Sequence, residues 1–405
     1  MSFLYLFAIR LLGTGIFLAQ LINPKAKKWV RGRQEQWKNW PEVPKGRRVI
    51  WFHCASLGEF DQGLPLMDRI KEEDPEVFLL LTFFSPSGFE HYHKRKHQVD
   101  YACYLPLDLP SRASTFLDHF RPEQAYFVKY EYWHFFLREA HKRAVDCYAV
   151  CAIFRKDHRF FKWYGAFFRK TLTFMKHFFV QNKESLELLH QIGIRNLSLV
   201  GDMRFDRVIE HRKSLVSDTV IEQFLEGERA FILGSSWSEG EAMLESGIKS
   251  YVEQGKVIIA PHDIGEAHLK EIEQRFRGQC IRYSRMSEHQ GENILLIDCI
   301  GKLANAYQYG KFAYVGGGFK GSLHNILEPA VFGLPVLFGP KHDRFPEGDL
   351  FLESGVAFEL RKEADFPVIL KAIESANDWE QKLGALIESQ RGAAELIYQI
   401  NFVKS

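Results

Sequence analysis

The chain has 405 residues, more than one ordinary domain holds, so we expect two or three domains. Its composition is 46% hydrophobic and 26% charged, as in a globular protein, and a formal net charge of +2 gives no reason to expect binding to nucleic acid. The six cysteines are scattered, without the paired spacing of a zinc site, and we interpret them as reduced thiols of a cytosolic compartment.

Residues 3–22 form a nearly continuous apolar stretch, and a run of basic side chains follows between Lys25 and Arg33. A signal peptide carries its charges before the apolar part, so this order argues against an export signal. A helix that crosses a membrane and a helix that lies in the membrane interface both fit, with Arg10 as the cost of crossing. A buried core helix is the third interpretation. In either anchored form, the basic flank predicts that the body of the protein is cytoplasmic.

After a predicted polar linker over residues 31–48, strands alternate with helical stretches in two successive series. The strand candidates of the first series are 49–54, 77–84, 103–108, 125–131, 146–154, 177–182 and a last one within 197–206. Those of the second series are 229–236, 256–262, 294–298, 311–317 and 334–340, followed by a mostly helical tail. This alternation predicts an α/β protein with two doubly wound parallel sheets, divided near residues 202–208. Ligands of such folds bind at the carboxyl ends of the strands, so we expect the site in a cleft shared by the two domains.

Many of the aromatic residues crowd the region 83–180, where basic side chains accompany them. One interpretation is a core rich in phenylalanine. The other is an apolar and basic surface that contacts a lipid or a membrane.

The segment 312–340 is predicted to form a strand, a glycine-rich turn, a short helix and a second strand. The turn contains three consecutive glycines, Gly316, Gly317 and Gly318. Such a turn lets a ligand approach main-chain N–H groups, and the N-terminus of the helix that it opens attracts phosphate. His324, Asn325 and Glu328 are predicted to share one face of that helix. The pattern indicates a nucleotide pocket, and a plain βαβ unit with a tight turn is the alternative.

Polar residues at the end of the first strand indicate a catalytic site. Ser56, Gly58 and Glu59 form a tight strand-to-helix loop, which places Glu59 in the first helical turn. A carboxylate there can act as the general base for an attacking hydroxyl, or it can simply cap the helix. Glu131 follows another strand, and it is either a surface acid or, paired with Glu59 across the cleft, a group that orients an acceptor or its base. Arg155, at a further strand end, can clamp a carboxylate or phosphate, or it belongs to a solvated basic face.

In the second series, small and polar residues follow the strands that would surround the same nucleotide pocket. They are Ser235, Ser236 and His262. No motif typical of a catalytic metal is present, so we expect neither a metal nor another cofactor.

Five segments resemble, in order and spacing, the motifs of the 3-deoxy-D-manno-octulosonic acid (Kdo) transferases of lipopolysaccharide synthesis. They are WFHCASLGEFDQG, YEYW, GDMRFD, GSSWSEGE and GGGFKGSLHNILEPAVFGLPVLFGP, and they extend from Trp51 to Pro340. The resemblance implies a GT-B fold, with two Rossmann-like domains facing a cleft. It also implies transfer of Kdo from CMP-Kdo to a lipid A precursor, with inversion and without a metal, at the cytoplasmic face of the inner membrane.

The resemblance assigns roles to single residues. It makes Glu59 the catalytic base and Glu131 an acid on the acceptor side, where Ser56, Gly58 and Arg155 are also expected. The glycine turn and Asn325 would bind CMP, with Glu328 at the ribose and both Ser235 and Ser236 near the phosphate. The implied division is a membrane anchor with its basic flank over 1–30, an acceptor domain over 31–205 and a CMP-sugar domain with a helical tail over 206–405.

The chain departs from the family pattern on the donor side. Ser322 and Leu323 replace two glycines, Trp237 replaces a histidine, and APHDIGEAH lacks the arginine of the PRHP segment. Two rival functions stay open at this point. One is a GT-B enzyme resembling UDP-sugar 2-epimerases, and the other is a membrane-anchored, nucleotide-binding scaffold without catalysis.

Overall fold

The computed structural model describes residues 2–403, which form two compact units. The first unit contains residues 2–207 and 390–403, and the second contains residues 208–389. Each unit is built on a parallel sheet of seven strands. The predicted α/β class with two parallel sheets is therefore confirmed.

The strands of the first unit are β1 Val49–Cys54, β2 Phe78–Phe83, β3 Tyr101–Tyr104, β4 Gln124–Val128, β5 Asp146–Ala152, β6 His177–Val180 and β7 Leu197–Leu199. They lie in the order β3-β2-β1-β4-β5-β6-β7. Trp51 of the central strand β1 pairs with Leu80 on one side and Ala125 on the other. Alternate residues of β1 enter two different hydrophobic clusters, because both faces of the sheet are covered.

The strands of the second unit are β8 Ala230–Ser236, β9 Val257–Pro261, β10 Cys280–Arg282, β11 Ile294–Leu296, β12 Gly310–Val315, β13 Val336–Phe338 and β14 Ala357–Glu359. Their order is β10-β11-β9-β8-β12-β13-β14. The sequence pattern missed β10 and β14, which are three-residue strands at the two edges of this sheet. The equally short β11 and β13 are fully buried, whereas these two edge strands are partly exposed, so no continuous apolar run marks them.

The helices of the first unit and of the segment that leaves it are α1 Ser2–Ala19, α2 Pro24–Glu35, α3 Leu57–Glu73, α4 Pro86–His91, α5 Pro110–Phe120, α6 His134–Lys142, α7 Ala166–Leu172, α8 Lys183–Gln191 and α9 Met203–Lys213. Those that follow are α10 Thr219–Leu225, α11 Ser238–Tyr251, α12 Glu266–Arg275, α13 Leu303–Ala306, α14 Leu327–Ala330, α15 Pro346–Glu353, α16 Asp365–Ser375, α17 Trp379–Gln390 and α18 Ala393–Tyr398. The predicted linker over 31–48 is wrong in its first part, because α2 continues through Glu35. Asn23 starts α2 by accepting the N–H groups of Lys25 and Ala26.

Helix α1 packs on the first unit along one side. The Tyr5 hydroxyl donates to Asp108 Oδ2 at 2.7 Å, and Ile9 is the one residue of α1 that is buried. Phe7 and Leu11, on the remaining surface, are each 55% exposed. The interpretation as a buried core helix is therefore wrong. Within residues 2–403, α1 is the one helix long and apolar enough to cross a membrane.

The end of the tail belongs to the first unit and not to the second, to which the whole of 206–405 was assigned. Asp206 accepts the N–H groups of Gly392 at 2.6 Å and Ala394 at 3.0 Å, at the start of α18. Ile397 of α18 then enters the hydrophobic cluster on one face of the first sheet. Sequence patterns could not show this return, because the two partners are 186 residues apart along the chain.

Candidate active site

Glu59 lies in the first turn of α3, directly after β1, as the sequence predicted. Ser56 is the N-cap residue in an extended conformation, and the carboxylate of Glu59 folds back to accept the N–H group of Ala55. The N–H group of Ser56 also bonds to this carboxylate, which is one half of a capping box. The capping contact considered as an alternative role is therefore present.

The surroundings of Glu59 nevertheless suit it to proton transfer. Its side chain is buried, and this burial, reinforced by the negative charge of Glu131, raises the pKa of the Glu59 carboxyl to about 7. The N–H groups of Ala55 and Ser56 and the charge of Lys129 act in the opposite direction without cancelling the effect. A carboxylate with a pKa near the working pH is an efficient general base.

Glu131 belongs to a hydrogen-bonded network between the ends of β1 and β4. The indole N–H of Trp133 points between Glu131 Oε2, at 3.1 Å, and His53 Nε2, at 3.2 Å. Since His53 Nε2 accepts there, its proton lies on Nδ1, which is 2.9 Å from Thr82 Oγ1. Trp51 donates to the same threonine oxygen at 2.8 Å. The network fixes the Glu131 carboxylate beside the fully buried His53.

Gly58 leaves open space at the start of α3. A Cβ atom built there would meet nothing within 4 Å, and the backbone does not adopt the left-handed conformation that requires glycine. Neither packing nor conformation of the unit therefore explains this glycine, whereas the approach of a ligand would. One helical turn further, the amide of Gln62 is buried and has no hydrogen-bond partner within residues 2–403. Sequence reasoning missed Gln62, because a lone glutamine in a helix carries no distinctive signal.

Arg155 follows β5, at the same edge of the sheet as the other strand ends. Its guanidinium pairs with the exposed Asp157, with 3.8 Å between Nε and Oδ1. The structure thus brings Glu59, Glu131 and His53 together but does not add Arg155 to that group.

In the second unit, the three glycines allow main-chain segments to pack closely. A Cβ atom on Gly316 would lie 2.0 Å from the carbonyl oxygen of Ser235, and one on Gly318 would lie 2.6 Å from the nitrogen of Gly339. Gly317 has a φ of +89°, in the left-handed region that favours glycine. Ser235 itself has a φ of +49°, at an irregular point of the pairing between β8 and β9. Positive φ in a residue other than glycine often marks functional sites.

The prediction that this turn opens a helix is wrong. The N–H group of Ser322 donates to the carbonyl of Gly317 at 3.1 Å, and that of His324 donates to Gly316 at 3.0 Å. These bonds close the turn into a loop, so α14 begins only at Leu327 and has four residues. A helix this short, placed this far from the glycines, gives no argument for a phosphate site.

Asn325 and Glu328 still lie together, but not through a shared helical face. Asn325 precedes α14, where its Oδ1 accepts the N–H group of Leu327 at 3.2 Å. Its Nδ2 donates to Glu328 Oε1 at 3.2 Å. The amide therefore orients the carboxylate that was predicted to bind a ribose.

Three aromatic rings stack near the carboxyl ends of β8 and β9. His262 packs against both Trp237 and His324, with 4.5 Å between ring centroids in each pair. Trp237 Nε1 also donates to His324 Nε2 at 3.1 Å, and Lys320 Nζ lies 4.3 Å above the Trp237 ring. Burial and, less strongly, His262 lower the pKa of His324 to about 4, so this ring is neutral at pH 7. Flat rings beside a cation can hold a planar base next to an anionic group.

The prediction that Ser236 touches a nucleotide needs correction. Its side chain is fully buried, and its hydroxyl donates to Glu241 Oε1 at 2.7 Å. The other oxygen of this fully buried Glu241 lies 3.0 Å from His268 Nε2. The carbonyl of Asp263 and the carboxylate of Glu241 raise the pKa of His268, although burial acts to lower it. Ser236 and its partners thus support the loops after β8 and β9 from within.

Comparison with known proteins now adds to this geometry. A family model described as 3-deoxy-D-manno-octulosonic-acid transferase (kdotransferase) matches residues 30–207. A Kdo transferase of Aquifex aeolicus is 28% identical over 328 residues, covering 78% of this chain and 83% of its own length. The chain is thus similar to Kdo transferases over most of its length. A second relative, the Kdo transferase of Rickettsia bellii, is 23% identical over 375 residues, covering 90% of this chain and 87% of its own.

Similarity to Kdo transferases indicates a glycosyltransferase of lipopolysaccharide biosynthesis. Among solved structures, UDP-GlcNAc 2-epimerase from Neisseria meningitidis, bound to UDP-GlcNAc, matches with a TM-score of 0.64 at 14% identity. The match covers 89% of this chain and 100% of the epimerase chain. It shows the GT-B fold alone, because fold does not determine function.

Proposed function

We propose that the protein transfers Kdo from CMP-Kdo to a sugar hydroxyl of a lipid A precursor of the lipid IVA type, with inversion. The observation that carries the proposal is the buried carboxyl of Glu59, whose pKa is about 7, beside the open space at Gly58. Similarity to Kdo transferases supports the choice of the transferred sugar, and the motif resemblance supports CMP as the leaving group and a lipid as the acceptor.

In the proposed step, the oxygen of the acceptor hydroxyl attacks the anomeric carbon of Kdo while Glu59 accepts the proton of that hydroxyl. The bond between that carbon and the phosphate oxygen of CMP breaks, and CMP leaves with the electron pair. A single displacement of this kind inverts the anomeric centre. The proton needs a base close to the hydroxyl, and a positioned base of matched pKa contributes about 10²–10⁴-fold in rate.

The other residues of the first unit would hold the acceptor. Trp133 keeps the Glu131 carboxylate in place. Together with burial, the negative charge of Glu131 keeps the pKa of Glu59 high. Gly58 and Ser56 leave room for a sugar ring at the start of α3. We keep Arg155 as a candidate contact for a phosphate of the acceptor, because its only ion pair among the described residues is the long one with Asp157.

The second unit would hold CMP. We assign the ribose to Glu328, which Asn325 orients, and the base to the ring stack that contains Trp237 and His262. Ser235 and the glycine turn would contact the phosphate through the main chain. We further propose that the reaction needs no metal and no other cofactor, so turnover should persist after dialysis against a chelator.

For location, we propose the cytoplasmic face of the inner membrane. Support comes from the exposed apolar side of α1 and from the exposed basic residues Lys25, Lys27 and Lys28 at the start of α2. Lysine and arginine beside an apolar helix favour the cytoplasmic side and anionic lipid.

The test is Glu59→Gln, incubated with CMP-Kdo and a tetra-acylated lipid A precursor, with CMP release and the mass of the lipid as readouts. We expect transfer to fall by about 10²-fold or more while CMP still binds. The matched control is Glu72→Gln, an exposed residue of the same helix α3. Near-normal turnover by a folded Glu59→Gln variant would overturn the assignment of the base.

The same incubation separates the rival functions. A UDP-sugar 2-epimerase would leave CMP-Kdo intact and would isomerise UDP-GlcNAc. A scaffold would bind nucleotide without consuming it.

A further inference from the structure

A cavity of about 280 Å³ lies in the first unit, between the N-terminal helix and the loop that carries Glu131. Most of its wall is apolar or aromatic. The residues concerned are Tyr5, Ile9, Leu12, Tyr132, Phe160 and Phe168. Glu131, His134, Arg159 and Thr171 add polar groups to the wall, and its apolar part suits a hydrocarbon chain.

The cavity connects two features that the proposed function already uses. Glu131, on the acceptor side of the site, forms part of its wall. Leu12 lines it from α1 and is also 42% exposed, next to Leu11 on the open apolar surface of the same helix. The cavity therefore extends from the carboxylate of Glu131 to the apolar surface of α1 that would meet the membrane.

We propose that this cavity binds one acyl chain of the lipid acceptor. The inference rests on the proposed function, because it places a part of the same acceptor. A methylene group is comparable in size to a water molecule, whose share of liquid volume is about 30 Å³, so the space suits a chain segment of roughly nine carbons. Each buried methylene adds about 0.8 kcal/mol of transfer free energy, so the segment would contribute strongly to acceptor binding.

Charge at the cavity fits the same occupant. Arg159 lines the cavity with its guanidinium 4.8 Å from the centre of the Phe168 ring, and it is exposed to solvent. An arginine at this position can pair with a phosphate group of a lipid whose chain lies in the apolar space. A free fatty acid or a membrane phospholipid would lack the acceptor sugar that Glu131 is expected to contact.

The wall formed by α1 is fixed to the rest of the unit. Asp108 accepts a hydrogen bond from the Tyr5 hydroxyl. It also accepts the N–H groups of Phe135 and Phe136 at 3.1 and 3.0 Å, at the start of α6. Tyr5 additionally packs on Phe167, with 5.4 Å between ring centroids. The N-terminal helix is thus part of a binding site as well as a candidate anchor.

The test compares two substitutions on neighbouring positions of α1. Leu12→Trp fills the cavity, and the matched control Leu11→Trp places the same side chain on the open surface, since Leu11 does not line the cavity. Transfer of Kdo is measured with the tetra-acylated precursor and with its fully deacylated glucosamine disaccharide. We expect kcat/KM for the acylated acceptor to fall at least about tenfold in Leu12→Trp, because the acyl chain would bury a few methylene groups fewer. Leu11→Trp should keep the wild-type value.

The outcomes distinguish the two proposals. Equal kcat/KM for the two variants on the acylated acceptor would overturn the acyl-chain site while leaving the transferase function intact. Equal losses on the acylated and the deacylated acceptor would also overturn it, since only the former has a chain to lose. No transfer by the wild type to either acceptor would count against the proposed function instead.

A second measurement does not depend on turnover or on a variant. The wild-type protein is irradiated with an acceptor that carries a photoreactive group midway along an acyl chain, and labelled peptides are mapped. We expect labels within residues 5–12, 130–134 and 159–171, which border the cavity, and competition by the unlabelled precursor but not by a phospholipid. Labels confined to other segments, or equal competition by phospholipid, would overturn the proposal.

Discussion

The carboxylate of Glu131 lies 3.7 Å from the ring of His53, measured from Oε2 to Nε2, and the indole N–H of Trp133 donates to both atoms. The two residues are 78 positions apart in the chain, yet they meet because β1 and β4 are neighbours in the sheet. This arrangement holds a negative charge close to Glu59, whose pKa is raised first by burial and then further by that charge.

Replacing Glu131 by glutamine should therefore lower the pKa of Glu59. Because a general base acts when deprotonated, kcat/KM of the wild type should rise with pH through about 7, the pKa of Glu59. In Glu131→Gln this rise should move to lower pH, whatever happens to the maximum rate. A pH–rate profile with saturating CMP-Kdo measures the shift, and Glu72→Gln should leave it in place. An unmoved profile would mean that Glu131 does not act on Glu59 electrostatically.

The raised pKa of Glu59 also predicts an effect on stability. Its pKa is about 7 in the folded state against an ordinary value of 4.5, so the folded state binds more protons between these values. The free energy of unfolding should then decrease as pH rises from about 4.5 to about 7, by at most ~1.4 kcal/mol per pKa unit. Glu59→Gln, which carries no charge, should be more stable than the wild type at pH 8, by on the order of 1–3 kcal/mol.

Chemical denaturation at pH 8 and pH 4.5 provides this measurement. At the lower pH the wild-type carboxyl is largely protonated, and the two proteins should unfold at similar denaturant concentrations. A wild type that is more stable than Glu59→Gln at pH 8 would show that the buried charge is compensated, against the raised pKa.

Gly58→Ala should reduce the activity of the protein without reducing its stability. A Cβ atom at this position has open space around it, and alanine is favoured over glycine in a helix by roughly 0.5–1 kcal/mol. The variant should be at least as stable as the wild type but should transfer Kdo more slowly, because the methyl group occupies the space reserved for the acceptor. The matched control is Gly384→Ala in α17, which also has nothing within 4 Å and should stay active. Full activity of Gly58→Ala would remove Gly58 from the acceptor site.

Trp237 should determine the affinity for CMP. Trp237→Leu removes the ring that stacks on His262, and base-to-ring stacking is worth about 1–3 kcal/mol, so the Kd of CMP should rise by about tenfold or more. Trp237→Phe keeps a ring and loses only the N–H group donated to His324, so its effect should be smaller. Calorimetric titration with CMP measures both. Trp163→Leu, at an exposed residue of the first unit, is the control, and an unchanged Kd in Trp237→Leu would exclude the stack from the base site.

Much of this architecture could be predicted because it depends on short stretches of sequence. The hydrophobic runs that became β1 and β5 are continuous and bounded by polar residues, so their start points were predicted to the residue. Glu59 was placed correctly because a strand that ends at Cys54 and a helix that begins at Leu57 leave little freedom between them.

The predictions that failed concern bonds between distant or competing groups. The helix expected after Gly318 does not form there, because carbonyls within the turn itself take the N–H groups of Ser322 and His324. Ser236 was expected to face a ligand, but Glu241, one turn into α11, takes its hydroxyl into the interior. A linear pattern shows that polar groups are present without showing which partners satisfy them.

Local order and spacing are enough to predict the two series of strands and the apolar N-terminal helix, and the motif resemblance points to the Kdo transferases and to Glu59 as the candidate base. The fold was needed to show that Glu131 shares a hydrogen-bond donor with His53, that the tail returns to the first unit, and that α1 closes a cavity beside the site. The physical reason is that pKa values, closed networks and cavities depend on how residues far apart in the chain exclude water together.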